Sequence, residues 1–258
     1  MKYHWTSQFG VLCETGDVKP TNQDRVFAQE AMIDGKHTCL YVVADGVGGL
    51  AKGEDISTLA TEYFKRWFAS LCASNKIDGN LISCLNECVN LVNGAAYEYS
   101  MSDGEKMGST LALLLTVDDT YYVCNVGDSR VYRYNGKKAQ QLSYDHSLIA
   151  DMVRNGAITS QEAESHESKN VITKCLGVSQ TVSPYLVTGK MSKRETFVIC
   201  SDGFYNYADK KSAEKIIAKK NIHPQNGVQM LRKTIPQAKA GDNVSIILVK
   251  KRKRLSFR

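Results

Sequence analysis

The 258-residue chain contains only four prolines, thinly spread, and shows no internal repeat and no low-complexity segment. A Pro-rich linker between domains is excluded, and so is a repeat array. No apolar run approaches the length needed to span a bilayer. The opening residues, MKYHWTSQFG, lack the apolar core and small-residue cleavage site of a signal peptide. A cytoplasmic chain with no membrane span is therefore expected. None of the eight cysteines forms a C-x-x-C pair. Cys84 and Cys88 stand one helical turn apart, but no further Cys or His follows at zinc spacing, so they read as core residues. Most of the others, such as Cys124 in YYVCNV and Cys200 in FVICSDG, sit inside apolar runs, where a free thiol packs as a small hydrophobe.

Acidic residues are missing after Asp242. Lys250, Lys251, Arg252, Lys253, Arg254 and Arg258 follow it and equal the whole net charge of +6. The body is thus near neutral, which gives no basic surface for nucleic acid. Residues 1–249 read as one domain and residues 250–258 as a basic, solvated C-terminal tail.

What is present is a set of short apolar runs bounded by Gly, Asp or Asn. They are 39–45, 109–117, 120–126, 130–134, 195–201 and 243–250, rich in Val, Ile, Leu and Tyr. Asp118-Asp119 and Asn135-Gly136 read as hairpin turns. Between the runs lie two amphipathic stretches. One places Ile56, Leu59, Ala60, Tyr63, Phe64, Trp67, Phe68 and Leu71 on a helical stripe. The other spans roughly 80–99. Two later helices are expected near 211–219 and 227–238. Hairpins with flanking helices favour an α+β architecture with mainly antiparallel sheets, for which a four-layer α-β-β-α sandwich is one arrangement.

One local event recurs: an apolar strand ends and an aspartate follows. Asp45-Gly46, Asp128-Ser129 and Asp202-Gly203 all do this, Asp242-Asn243 opens the last strand, and Asp24 follows Asn22-Gln23. A single such Asp makes a turn. Five of them at strand mouths suggest one rim carrying chemistry. Crowded carboxylates repel, and a divalent cation relieves the repulsion. Oxygen donors without His or Cys select hard ions such as Mg2+ or Mn2+. Paired ions of this kind activate water for displacement at phosphorus.

These residues resemble the PPM/PP2C family of metal-dependent protein phosphatases in its compact bacterial form. The matching strings, in family order, are GDVKPTNQD (16–24), VADGVGGLAKGEDIS (43–57), MGST (107–110), NVGDSRVYR (125–133), LSYDHSL (142–148), NGAIT (155–159), NVITKCLG (170–177), VICSDGF (198–204) and GDNVSIILV (241–249). The resemblance implies a β-sandwich flanked by helices, with two core Mn2+ or Mg2+ ions and a weaker third. It implies that Asp45 bridges the core ions, Gly46 offers its carbonyl, Asp202 and Asp242 hold one ion, Asp24 supports the site, and Asp128 helps to hold the third. The phosphate would be gripped by Lys19, where the family usually has Arg. Gln23 and Asn206 stand where many members have acids, and Val47 replaces a His found in animal and plant members. The stretch from Leu148 to Asn170 matches a substrate-choosing flap. The implied activity is hydrolysis of phosphoserine and phosphothreonine in proteins, with phosphorylated proteins as substrates and a serine/threonine kinase as the opposing partner. A pseudophosphatase that binds phosphoproteins without turnover is the alternative, and small phosphate esters are a third substrate class. His146 reads as a structural hydrogen-bonding residue, Ser129 and Arg130 as braces for Asp128, and Gly48-Gly49 as turn glycines.

Overall fold

A computed structural model describes residues 2–47, 52–77, 79–135, 138–164, 166–168, 170–236 and 240–256. In chain order its elements are β1 (Lys2–Glu14), β2 (Arg25–Ile33), β3 (Lys36–Ala44), α1 (Gly53–Ser74), α2 (Leu81–Asp103), β4 (Leu111–Val117), β5 (Thr120–Val126), β6 (Arg130–Asn135), β7 (Lys138–Gln141), α3 (Leu148–Arg154), α4 (Ser160–Glu164), β8 (Tyr185–Lys190), β9 (Arg194–Cys200), α5 (Asp202–Tyr205), α6 (Lys210–Ile217), α7 (Pro224–Arg232) and β10 (Val244–Ser256). One sheet has the order β1-β10-β9-β6-β7 and the other β2-β3-β4-β5-β8. Every strand pairing is antiparallel.

Strand periodicity sorts the core into three layers. Along β4, Leu111, Leu113 and Leu115 point toward α1 and α2, while Ala112 and Leu114 point between the sheets. Both faces are covered, so the whole strand is buried. The helix stripe read from the sequence is real: Ile56, Ala60, Phe64 and Phe68 of α1 are fully buried against β2 and β3, beside Leu85, Val89 and Val92 of α2. Burying each of the large side chains among them contributes about 1.5–3 kcal/mol. Tyr41, Val43, Val123, Phe197, Ile247 and Val249 fill the space between the sheets. On the outer face of the first sheet, Val198, Ile246 and Leu248 pack against Phe204, Ile217, Val228 and Leu231 of α5 to α7. The result is the expected α-β-β-α sandwich of the α+β class.

Two expectations change. Residues 250–256, read as a solvated tail, continue β10 and pair with Lys2–Gln8 of β1. Lys251 is fully buried, because β10 points it into the space between the sheets. Helix α7 begins at Pro224 and ends at Arg232, not at 227 and 238. Proline suits the first helical position, where its missing N–H costs nothing, and the His223 side chain caps Gln225 N at 3.3 Å. On β1, Trp5 is buried in the inter-sheet layer. The Asp118-Asp119 turn forms as expected, with Asp118 in the left-handed region at φ 47°. Gly48, Gly49, Gly136 and the expected helix end at Ala238 lie outside the described residues.

Candidate metal centre

Strand pairing brings the five aspartates to one rim. Arg25 pairs with Ala44, so Asp24 and Asp45 lie side by side just beyond their strands. Cys200 pairs with both Arg130 and Ile246, which sets the 128, 202 and 242 loops at the same end of the other sheet. Asp24 and Asp128 are buried. Asp45, Asp202 and Asp242 are half-buried and open the cluster to solvent.

Each loop is pinned from its backbone. Thr110 N donates to Asp45 O at 2.8 Å and Ser109 Oγ to the same oxygen at 3.1 Å, while Asp45 N donates to Thr110 Oγ1. The Thr110 and Ser129 hydroxyls meet at 2.7 Å, tying this loop to the one that carries Asp128. Asn243 accepts from Gln23 N at 2.8 Å and donates to the carbonyls of Thr15 and Thr21, both at 2.9 Å. It thus joins the Asp242 loop to the segment holding Lys19 and Asp24. Gly46 has no room for a side chain: a Cβ there would meet Gly53 C at 2.6 Å and Gln23 Cβ at 2.8 Å. Its smallness lets the Asp45 loop press against the start of α1.

The electrostatics are those of a site built for cations. Burial pushes the Asp45 carboxyl well above the usual range, and the charges of Asp24, Asp202, Asp128 and Asp242 push it further. Asp202 rises to about 7, from burial first and then its acidic neighbours. Asp128 rises to about 6, from burial and then Asp145, against the pull of Arg130. Asp24 is also raised, mainly by burial. Ser201 Oγ donates to Asp24 Oδ2 at 2.8 Å, while Asp24 Oδ1 is buried with no hydrogen-bond partner among the described residues. An orphaned carboxylate oxygen inside a mutually repelling, oxygen-only cluster fits hard divalent ions.

The rim therefore gathers Asp24, Asp45, Gly46, Asp128, Asp202 and Asp242. Lys19 joins them, its Nζ 3.2 Å from Asp242 Oδ1. Gln23 Nε2 donates to Glu54 Oε2 in the first turn of α1 at 2.8 Å, so the amide braces the helix start. Asn206 Nδ2 donates to Asp202 Oδ2 at 3.2 Å. His146 is structural: its Nδ1 accepts from Gly127 N at 3.2 Å, and burial lowers it to about 4, leaving it neutral. Arg130 supports Asp128 indirectly. It pairs with Asp145 at 2.7 Å and lies 3.6 Å over the Tyr205 ring. The Tyr205 hydroxyl in turn donates to Asp128 Oδ2 at 3.3 Å. Sequence reasoning missed Tyr205 and Asn243 as braces. Asn243 sits beside a flagged aspartate, which was a usable signal. Tyr205 had none, since its partner lies 77 positions away.

Fold and site together define a two-sheet sandwich with a rim of clustered aspartates at one end. The model of the family described as protein phosphatase 2C matches residues 17–235, and the chain belongs to that family. It is similar to the serine/threonine phosphatase stp of Listeria monocytogenes serotype 4b (strain F2365), 28% identical over 218 residues, covering 82% of this chain and 84% of that one. A solved bacterial serine phosphatase superposes with a TM-score of 0.84 at 28% identity, covering 96% of this chain and 98% of that one. The fold also matches the catalytic domain of the serine/threonine phosphatase PstP, solved with two manganese ions (TM-score 0.81, 23% identity, 96% and 99% covered).

Proposed function

We propose that the chain hydrolyses phosphoserine and phosphothreonine monoesters in proteins, using divalent ions held at the aspartate rim. The observation that carries this reading is the convergence of five carboxylates, one with a buried partnerless oxygen, in a chain of the phosphatase 2C family. Asp45, Asp202, Asp242 and the Gly46 carbonyl would hold two core ions, Mn2+ or Mg2+, with Asp24 supporting them and Asp128 contributing to a weaker third. Such ions, when bound, supply Lewis acidity toward water and the phosphoryl group at neutral pH.

The chain's own residues do the rest. Lys19 stands at the open side of the rim, where its ammonium can take a phosphate oxygen. Ser201 orients Asp24 and leaves its second oxygen free. Asn243 and Thr110 keep the three loops from drifting as charge at the centre changes. Tyr205 and Asn206 steady Asp128 and Asp202. The pseudophosphatase alternative is not favoured, because every core aspartate is present and gathered. Substrates would be phosphorylated proteins, and a serine/threonine kinase in the same compartment would oppose the enzyme in signalling. Among the described residues no helix is long and apolar enough to cross a membrane, which fits the cytoplasmic setting proposed here.

The test is phosphate release from a phosphothreonine peptide and from small phosphate esters, with EDTA, Mg2+ or Mn2+, for wild type and Asp45→Asn. Metal-dependent turnover of the peptide that vanishes in the variant supports the reading. A folded wild type that is inactive with every metal overturns it.

A further inference from the structure

The opposite end of the sandwich holds ionisable groups that the aspartate rim does not use. His37 and Cys39 lie two residues apart on β3 and so share a face. Glu30 on β2 pairs directly with Cys39, and Thr116 on β4 pairs with Cys39 from the other side. Cys39 belongs to the inter-sheet layer and Thr116 is buried beside it, while Glu30 lies exposed on the edge strand. A ring nitrogen of His37, Sγ of Cys39 and a carboxylate oxygen of Glu30 all lie within 4.8 Å of one another. His37 Nδ1 is 3.5 Å from Cys39 Sγ, and Nε2 is 3.2 Å from Glu30 Oε2.

The Sγ–Nδ1 separation matches tetrahedral coordination. Bonds of about 2.3 Å to sulfur and about 2.0 Å to nitrogen place the two ligand atoms about 3.5 Å apart. The backbone beneath is fixed: His37 N donates to Asp118 Oδ1 at 2.9 Å, and Asp118 N returns a bond to His37 O at 3.0 Å. Cys39 is fully buried, whereas Glu30 is exposed and free to turn toward an ion. Lys251, also fully buried, donates to Thr116 Oγ1 at 2.6 Å and lies 3.9 Å from Cys39 Sγ. Burial alone would raise the Cys39 thiol, but His37 and Lys251 outweigh it and hold the thiol below its ordinary value. The thiolate is the metal-binding form, and an ion that took it would also displace the proton from the raised His37 ring, since only the neutral imidazole ligates.

We propose that Glu30, His37 and Cys39 form a second cation site, chemically distinct from the aspartate rim and suited to borderline ions such as Zn2+ or Co2+. Sulfur and imidazole donors select these ions over Mg2+ and Mn2+, which the oxygen-only rim prefers. Six residues of extended β3 separate Cys39 from Asp45, about 20 Å, so the sites fill independently. An ion here would tie β2 to β3 and close the end of the sandwich away from the rim.

The test is a Co2+ titration of the whole chain in excess Mg2+, read by the near-ultraviolet thiolate-to-cobalt charge-transfer band. An oxygen-only centre cannot produce that band. The site gives a band that saturates at a single ion per chain, is displaced by Zn2+ and is lost in Cys39→Ser. Glu30→Gln changes an exposed side chain and leaves folding intact, and it weakens Co2+ binding at least about tenfold. Absence of the band in wild type, its survival in Cys39→Ser, or unchanged affinity in Glu30→Gln overturns the proposal.

Discussion

Lys19 Nζ lies 3.2 Å from Asp242 Oδ1, with both side chains 33% exposed. The cation assigned to the substrate phosphate is thus held by a carboxylate assigned to an ion, and the two roles compete. Removing the ammonium should separate them. Exposed pairs contribute up to about 1 kcal/mol, so Lys19→Ala is expected to bind Mn2+ up to about fivefold more tightly. It also loses a charge-assisted contact to phosphate, which predicts a fall in kcat/KM of about tenfold to a hundredfold. Lys19→Arg should restore or improve KM, since its planar fork suits phosphate oxygens. Mn2+ activation curves and phosphopeptide KM values check this. A Lys19→Ala enzyme that needs more Mn2+ at unchanged KM would mean that Lys19 only braces the metal site.

The raised aspartates make the stability of the metal-free chain depend on pH with a definite sign. Asp202, at about 7, and Asp128, at about 6, sit above their unfolded value of 3.8. Folded chains therefore hold more protons than unfolded ones across that window. Stability from these groups is full below the unfolded value and is lost as pH rises through the folded ones. In EDTA the thermal midpoint should fall from about pH 4 to about pH 7 on their account. Mn2+ competes with the same protons, so the midpoint gain on adding Mn2+ should grow over that range. Differential scanning fluorimetry with and without Mn2+ measures both slopes. A gain independent of pH would show that these carboxyls do not hold the ion.

Legibility of the fold followed burial. β3, β4, β5 and β9 are buried along most of their length and were plain as apolar runs ending in Asp or Asn. β2 and β8 were not read. Each is an edge strand with a half-wet face, and RVFAQEAMI and YLVTGK carry too little alternation to declare themselves. β1 was missed for the same reason, being an edge strand with polar residues along its first half. At the site, aspartates at strand mouths were visible because the signal is local. The braces were less so, because Tyr205, Ser201 and Asn243 act on residues far away in sequence. Charge misled once: a run of Lys and Arg reads as a solvated terminus unless the partner strand is known.

Gly203 should tolerate no side chain. A Cβ there would lie 1.9 Å from Asn243 O, and the glycine sits between Asp202 and the Asp242 loop. Gly203→Ala must push the Asp202 and Asp242 loops apart, a cost of about 1–3 kcal/mol or more, with weaker Mn2+ activation. Gly94 in the middle of α2 is the control, since a Cβ there meets nothing within 4 Å. Gly94→Ala should stabilise the chain by up to about 1 kcal/mol. Urea unfolding of both variants gives the comparison, and equal effects would sink the packing argument.

Cutting the chain after Val249 separates the tail reading from the strand reading. A solvated tail could be removed at no cost. In this fold the cut strips the backbone partner from Lys2–Gln8 and uncovers Trp5, which is 6% exposed on β1. Loss of that aromatic burial alone is worth about 2–3 kcal/mol, and the lost ladder adds to it, so the truncated chain should unfold at a markedly lower urea concentration. Lys251→Met tests the charge without the strand. It replaces a buried ammonium, whose good acceptor is Thr116 Oγ1, with an apolar chain of similar length. Replacing a buried charge in this way is often neutral or stabilising, so the variant should stay within about 1 kcal/mol of wild type. A large loss on truncation with a small one in Lys251→Met assigns the stability to strand pairing and Trp5 burial. A harmless truncation would return residues 250–256 to solvent.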